Sequence, residues 1–394
     1  MELIVRNADG APGSLRPVEV VERKGRGHPD SLCDGIAEHI CVTLCRHYRE
    51  RFGVILHHNV DKVLLVGGAA RPEFGGGEFV EPIEIYLAGR ATRSFRGEEI
   101  PVDALATAAC LEWLARYVPA LDLERGVRVF PRLRSGSVDL KGLFEREGPP
   151  RANDTSYGVG FAPLSPLEQA VLAVDEALQS PATRANHPSV GTDTKVMGVR
   201  RGGNVHLTVS CAFIGRHLID LSHYAREKEA VRALAISVAR ASSGLQVELE
   251  INVADDLERG EIFLTVTGTS AEAGDDGEVG RGNRVTGLIT PYRAMTLEAG
   301  AGKNPVTHVG KLYSLAASQI AASMVSVLPG VDHAACLLVS QIGREVSDPQ
   351  LVDVALWPTA QGAPRAAVEA VIRAGLADLG AIREALLAER LAVF

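Results

Sequence analysis

The chain has 394 residues, too many for one ordinary core, so two or three domains are expected. With 46% hydrophobic and 23% charged residues its composition is that of a soluble globular protein. The formal net charge of −8 excludes a general nucleic-acid binder, which needs a basic face, but leaves room for a local basic pocket that takes a small anion. No apolar run reaches the roughly 18 residues of a membrane span. The opening MELIVRNADGAPG lacks the regions of a signal peptide, and cysteines 33, 41, 45, 110, 211 and 336 form no CxxC pair. The expectation is a cytoplasmic protein with no disulfide framework and no membrane or nucleic-acid partner.

In chain order, Ile36, Ile40, Leu44 and Tyr48 recur every four positions and predict a helix over 31–52. Asp30 or Ser31 can cap its start and Gly53 can end it. Strands follow at 62–68 and 83–91, a helix at 102–118 and a strand at 126–130. A second block holds a helix at 166–180 and the strands TKVMGVR and NVHLTVSCAFI. Next come a helix at 221–243, the strands LQVELEINV and EIFLTVTGT, a polar loop over 270–287 and a helix at 306–327. The chain closes with a strand at ACLLVSQI and one or two helices. Strands and helices mix without strict alternation, which favours an α+β fold. The blocks are placed at 1–150, 151–268 and 269–394, packed closely or interleaved, because no linker cuts the chain.

Four polar, glycine-bearing segments stand out: ERKGRGHPDS (22–31), RSGSVD (134–139), NDTSYGVG (153–160) and GDDGEVGRGNR (274–284). A fifth, GAGKNP (300–305), resembles a phosphate loop without the GxxxxGK[ST] spacing. Glycine lets backbone N–H groups approach phosphate oxygens, and a helix mouth such as that after GHPD attracts anions. Asp30, Asp154, Asp275 and Asp276 can hold Mg²⁺, and Lys195, Arg281 and Lys303 can neutralise a polyphosphate. Singly, each has a plainer reading: a helix cap, a solvated turn, a strand-end lysine. His57 and His58 read as a strand-edge pair, and Cys41 and Cys45 as small core residues. Together the segments indicate an enzyme that handles Mg²⁺ with a nucleotide or polyphosphate.

The wording of the segments goes further. VERKGRGHPDSLCDGIAEHI, ILHHNVDKVLLVGGAARPEFGGG, ANDTSYGVGFAPLS, DTKVMGVR, LTVTGTSAEAGDDGEVGRGNRVTGLITP and EAGAGKNPVTHVGKLYS resemble the archaeal-type S-adenosylmethionine synthetases (methionine adenosyltransferases), from about residue 2 to 345. The resemblance implies three similar sheet-and-helix units intertwined in sequence, in a homodimer with active sites at the interface. It implies that ATP and L-methionine give S-adenosylmethionine, with tripolyphosphate cleaved to pyrophosphate and phosphate. Mg²⁺ is then required, and K⁺ often helps.

By the same resemblance, His28 touches the triphosphate beside the breaking bond and Asp30 is a Mg²⁺ ligand. Lys195, Arg281 and Lys303 are the catalytic cations. Glu22, Asp154 and Asp275 bind ATP or methionine, as do Ser135, Gly136, Ser137, Val138 and Asp139 of the loop associated with ATP. The main branch's lysine after His-Pro-Asp is Ser31 here, and its second lysine and aspartate after the GK(D/N)P motif fall on Thr307 and Val309, so one metal ligand lacks a counterpart. Lys311 is a candidate for the lost charge. Arg134 and Ser135 stand where archaeal relatives carry glycine and glutamine, which raises the question of a strained loop. The alternatives are a paralogue with a different thioether or nucleotide, a polyphosphate hydrolase, or a silent nucleotide-sensing partner.

Overall fold

The computed structural model describes all residues except 9–11, 14–15, 137–147 and 359–362. Its strands, in chain order, are β1 (Glu2–Asn7), β2 (Val18–Lys24), β3 (His58–Val66), β4 (Ala69–Glu73), β5 (Gly76–Glu81), β6 (Ile83–Ala91), β7 (Ser94–Phe95), β8 (Glu98–Glu99) and β9 (Val127–Arg134). They continue as β10 (Tyr157–Ala162), β11 (Val190–Arg201), β12 (Asn204–Ile214), β13 (Val247–Ile251), β14 (Leu264–Thr265), β15 (Gly277–Glu278), β16 (Val331–Val339) and β17 (Leu351–Pro358). The helices are α1 (Pro29–Phe52), α2 (Val102–Tyr117), α3 (Pro166–Leu178), α4 (Pro181–Asn186), α5 (Leu221–Ser243), α6 (Val309–Val327), α7 (Arg365–Ala377) and α8 (Leu379–Leu387).

Three sheets carry the architecture. Their orders are β15-β3-β6-β9, β13-β12-β11-β2 with β14 beside β12, and β1-β17-β16-β10. Each is backed by helices: α1 and α2 on the first, α3 and α5 on the second, and α6 on the third, with α7 packed on α6. Alternation explains the layering: Val60, Val63 and Leu65 of β3 and Ile83, Ile85 and Leu87 of β6 point at the helices, while Leu64 and Val66 stay exposed. Each sheet draws strands from distant parts of the chain, as where β1 pairs in parallel with β17 and β2 pairs antiparallel with β11. The α+β class and the three sheet-and-helix units therefore hold.

Two buried clusters fill the layers. One joins α1, α2 and the first sheet to α6, the third sheet and the C-terminal helices. The other lies between the second sheet and α3 and α5. No described helix is long and apolar enough to cross a membrane.

The long helices lie close to where periodicity puts them, and Gly53 ends α1 at φ 75°. The cap of α1 is His28, not Asp30 or Ser31. EIFLTVTGT yields only the two-residue β14, because the Val266 and Thr267 N–H groups donate to the Glu272 carboxylate instead of a neighbouring strand. β1, β2, β4, β5, β10 and β17, and the two-residue β7, β8 and β15, were not expected. β1 and β2 are short aliphatic runs flanked by charged residues, and β10 hides in the glycine-rich YGVGFA.

Candidate active site

The mouth of α1 is built by β2 and β11, whose register sets Lys24 opposite Lys195. Beyond β2 the chain stays on β11: Gly25 N donates to Thr194 O at 2.7 Å and Gly27 N to Thr192 O at 2.8 Å. A side chain on Gly27 would bring its Cβ within 2.6 Å of the Asp193 backbone nitrogen, so only glycine allows this approach. His28 then caps α1, its Nδ1 accepting from the Asp30 N–H at 3.2 Å, with Pro29 opening the helix.

That bond leaves the proton on Nε2, which makes the imidazole a neutral donor. Burial first, and the nearby Lys24 ammonium second, lower the His28 pKa to about 4; Asp275 and Lys195 are also close enough to act on it. Asp30 is 4% exposed. Its Oδ2 accepts from Lys24 Nζ at 2.8 Å and its Oδ1 from Glu278 N at 3.0 Å, with Arg281 Nε 3.8 Å away. Lys24 also donates to Arg281 O at 2.9 Å. Glu22 Oε1 lies 3.5 Å from Lys195 Nζ and 3.9 Å from Lys24 Nζ.

The 270–287 segment folds over this mouth. β15 pairs with Leu64 and Leu65 of β3, and a Cβ on Gly277 would sit 2.3 Å from the Pro29 carbonyl, so the loop lies flush on the first turn of α1. Ser270 Oγ stands between Asp193 Oδ2 (2.5 Å) and Asp275 Oδ2 (3.0 Å). Burial pushes the Asp193 carboxyl up to about 7 against the Ser270 hydrogen bonds. Asp276, by contrast, is tied down by Gly67 N at 2.8 Å.

A second group forms under the 300–305 loop. Lys303 is 5% exposed and pairs with Glu298 and, at 3.0 Å, with Asp61 Oδ2. His308 Nε2 is 3.8 Å from Glu298; burial, then Lys303, lowers its pKa to about 3. Lys311 is spent on Glu38 (2.6 Å) and on Lys303 O (2.8 Å), so its charge supports the loop from below. Val309 is buried in the first turn of α6 and Thr307 is 4% exposed. A cleft of about 370 Å³ on the open face of the first sheet is lined by both Asp61 and Glu278, linking the two groups. A larger cavity of about 730 Å³ by the β11–β12 turn holds none of these residues.

Of the sequence candidates, His28, Asp30, Glu22, Lys195, Arg281 and Asp275 come together. Lys303 lies in the second group. Asp154 is exposed before β10, its carbonyl held by Ser340 Oγ at 2.9 Å, and Asn153 N reaches Thr307 O beside the 300–305 loop. Ser135 and Gly136 follow β9, with Arg90 reaching Ser135 O and Gly136 packed on His57. No described contact joins Asp154, Ser135 or Gly136 to His28. Ser137, Val138 and Asp139 lie outside the described residues. Arg134 ends β9 without a positive φ, so it carries no glycine-type strain. Sequence reading passed over Lys24, Asp193, Asp61, Glu298 and His308. All five sit inside the quoted motifs, and their charge or imidazole was the signal available.

With this geometry in place, comparison with known proteins is direct. The profile of the S-adenosylmethionine synthetase (AdoMet synthetase) family matches residues 1–390. A probable S-adenosylmethionine synthase of Aquifex aeolicus is 51% identical over 359 residues, 89% of this chain and 90% of its own. S-adenosylmethionine synthases of Haloquadratum walsbyi and Pyrococcus furiosus are each 46% identical, covering 96% and 90% of this chain and 95% and 89% of their own.

Proposed function

The chain belongs to the S-adenosylmethionine synthetase family, and from that premise we propose that it joins ATP and L-methionine into S-adenosylmethionine and cleaves the released tripolyphosphate to pyrophosphate and phosphate. The observation that carries this reading is the mouth of α1. There a neutral histidine donor, three cations (Lys24, Lys195, Arg281) and a buried carboxylate (Asp30) meet at a positive helix end.

The reaction needs little else. A thioether sulfur is a nucleophile with no proton to lose, so no general base has to act on it. The work is to align sulfur with the ribose C5′ and to stabilise a departing chain of negative charge. His28 donates from Nε2 to a phosphate oxygen near the breaking bond. Because it stays neutral, it can do so without giving up its proton. Lys195 and Arg281 flank it, and Arg281, 69% exposed, is free to swing onto the phosphates. Glu22 orients Lys195 and Lys24.

The oxygen donors fit Mg²⁺. Asp30 keeps free lone pairs beyond its two hydrogen bonds, and among the described residues Asp275 is held by Ser270 alone. Asp30 and Asp275 would hold the ion, which supplies charge neutralisation on the phosphate oxygens; K⁺ would assist in the same field. Lys303, Asp154 and the Ser135–Gly136 loop stand apart from His28 within one chain. We assign them to the methionine and adenosine side of a site completed by a second copy, in a homodimer.

Incubation with ATP, L-methionine, Mg²⁺ and K⁺ tests the reading. Mass spectrometry should find S-adenosylmethionine, with pyrophosphate and phosphate in equal amounts. Phosphate release without S-adenosylmethionine would instead identify a polyphosphate hydrolase.

A further inference from the structure

Beneath the 300–305 loop, α1 presents Cys41 and Cys45 one turn apart on one face. His58, the first residue of β3, meets both: its Nε2 lies 3.2 Å from Cys41 Sγ and 3.5 Å from Cys45 Sγ. All three are 0% exposed. Their ligating atoms lie within 4.8 Å of one another, and among the described residues no other histidine, cysteine or carboxylate group converges in this way.

The tautomer is fixed. His58 Nδ1 is 2.9 Å from Leu56 O, and a carbonyl can only accept, so Nδ1 carries the proton and the Nε2 lone pair faces the two sulfurs. A backbone carbonyl orienting a histidine through its far nitrogen is the usual outer support of a metal-bound imidazole. Metal–sulfur bonds of about 2.3 Å and metal–nitrogen bonds of about 2.0 Å in a tetrahedral shell give a sulfur–nitrogen edge of about 3.5 Å. The two edges here are 3.5 and 3.2 Å.

For Zn²⁺ the charge closes: two thiolates balance the ion, and Lys311, whose Nζ is 3.9 Å from Cys41 Sγ, is already matched by Glu38. We propose that Cys41, Cys45 and His58 bind one thiophilic cation, of the Zn²⁺ or Cu⁺ class, at the base of the loop that carries Lys303. On binding, two sulfur–metal bonds and one nitrogen–metal bond form, the remaining thiol protons leave to solvent, and no electron is transferred. Asn304 Nδ2 donates at 3.1 Å to Leu56 O, the same carbonyl that orients His58, so the site and the 300–305 loop share one anchor.

The test is titration of the reduced, metal-free full chain with Zn²⁺, with Cu⁺ under anaerobic conditions, and with Co²⁺ as a spectroscopic probe. One ion per chain and a cobalt–thiolate charge-transfer band are expected, both lost in Cys41→Ser, Cys45→Ser and His58→Gln. The Zn²⁺ and Cu⁺ arms decide which ion is held. Should a variant fail to fold, X-ray absorption on the loaded wild type still reads the shell, which should contain two sulfurs and one imidazole. No stoichiometric binding, or a shell without sulfur, overturns the proposal.

Discussion

Lys24 Nζ and Asp30 Oδ2 stand 2.8 Å apart across the mouth of α1, and the same ammonium binds Arg281 O at 2.9 Å. One lysine therefore neutralises the buried carboxylate and fastens the glycine-rich loop above it. Lys24→Met should leave the helix content unchanged and lower kcat by about 100-fold, the usual cost of losing one preorganised charge at a reacting centre. Lys24→Arg should recover part of it. Steady-state rates with far-UV circular dichroism check this, and a wild-type rate in Lys24→Met would remove Lys24 from the site.

The His28 imidazole, lowered to about 4 by burial and by Lys24, should stay neutral through the physiological range. The pH profile of kcat/KM should therefore show no loss centred near 6.5, the ordinary histidine value. An acid limb centred there, absent from His28→Asn, would mean that the imidazole titrates normally.

Asp34 gives a stability counterpart. Its Oδ1 accepts from Gly280 N at 2.9 Å, its Oδ2 has no hydrogen-bond partner among the described residues, and burial pushes its pKa up to about 7. The folded state then holds a proton that the unfolded chain releases near pH 4. Relative to Asp34→Asn, the wild type should lose stability as pH rises from about 4 to about 7, with a slope of up to about 1.4 kcal/mol per pH unit. Chemical denaturation across that window measures it; parallel curves for the two proteins would refute the shift.

Glu38 and Lys311 pair under the 300–305 loop, 2.6 Å apart at closest, the lysine fully buried and the carboxylate 14% exposed. Lys311→Met strands the carboxylate and should cost about 3–5 kcal/mol. Adding Glu38→Gln should recover much of this. A double-mutant cycle with coupling near zero would show that the pair is not a unit.

Gly277 packs on the first turn of α1 with no room for a methyl group, since a Cβ would lie 2.3 Å from the Pro29 carbonyl. Gly277→Ala should destabilise by about 1–3 kcal/mol and reduce activity, because the loop carrying Asp275 must lift. Unchanged melting and activity would show that the loop can shift freely.

Much of this was legible in the sequence, for identifiable reasons. α1, α3, α5 and α6 have regular apolar spacing, and the motifs around His28, Asp275 and Lys303 are long. β1 and β2 were not legible, because their aliphatic runs are only two or three residues long and their partners lie more than 150 positions away. The pairing of Lys303 with Asp61, 242 positions away, was hidden for the same reason, and local pattern did not single out Glu298 five residues before it. The cap of α1 was misplaced by two or three residues because a histidine, which is not a usual cap, took the role through its Nδ1.

The central claim is that the mouth of α1, through His28, stabilises the departing triphosphate. The most direct measurement is single-turnover formation of S-adenosylmethionine by His28→Ala and His28→Asn beside the wild type, with thermal melting as the folding control. The account expects His28→Ala to lose at least about 100-fold in rate while still folding, and His28→Asn, which keeps a neutral donor, to retain more. A folded His28→Ala enzyme that forms S-adenosylmethionine at the wild-type rate would contradict it.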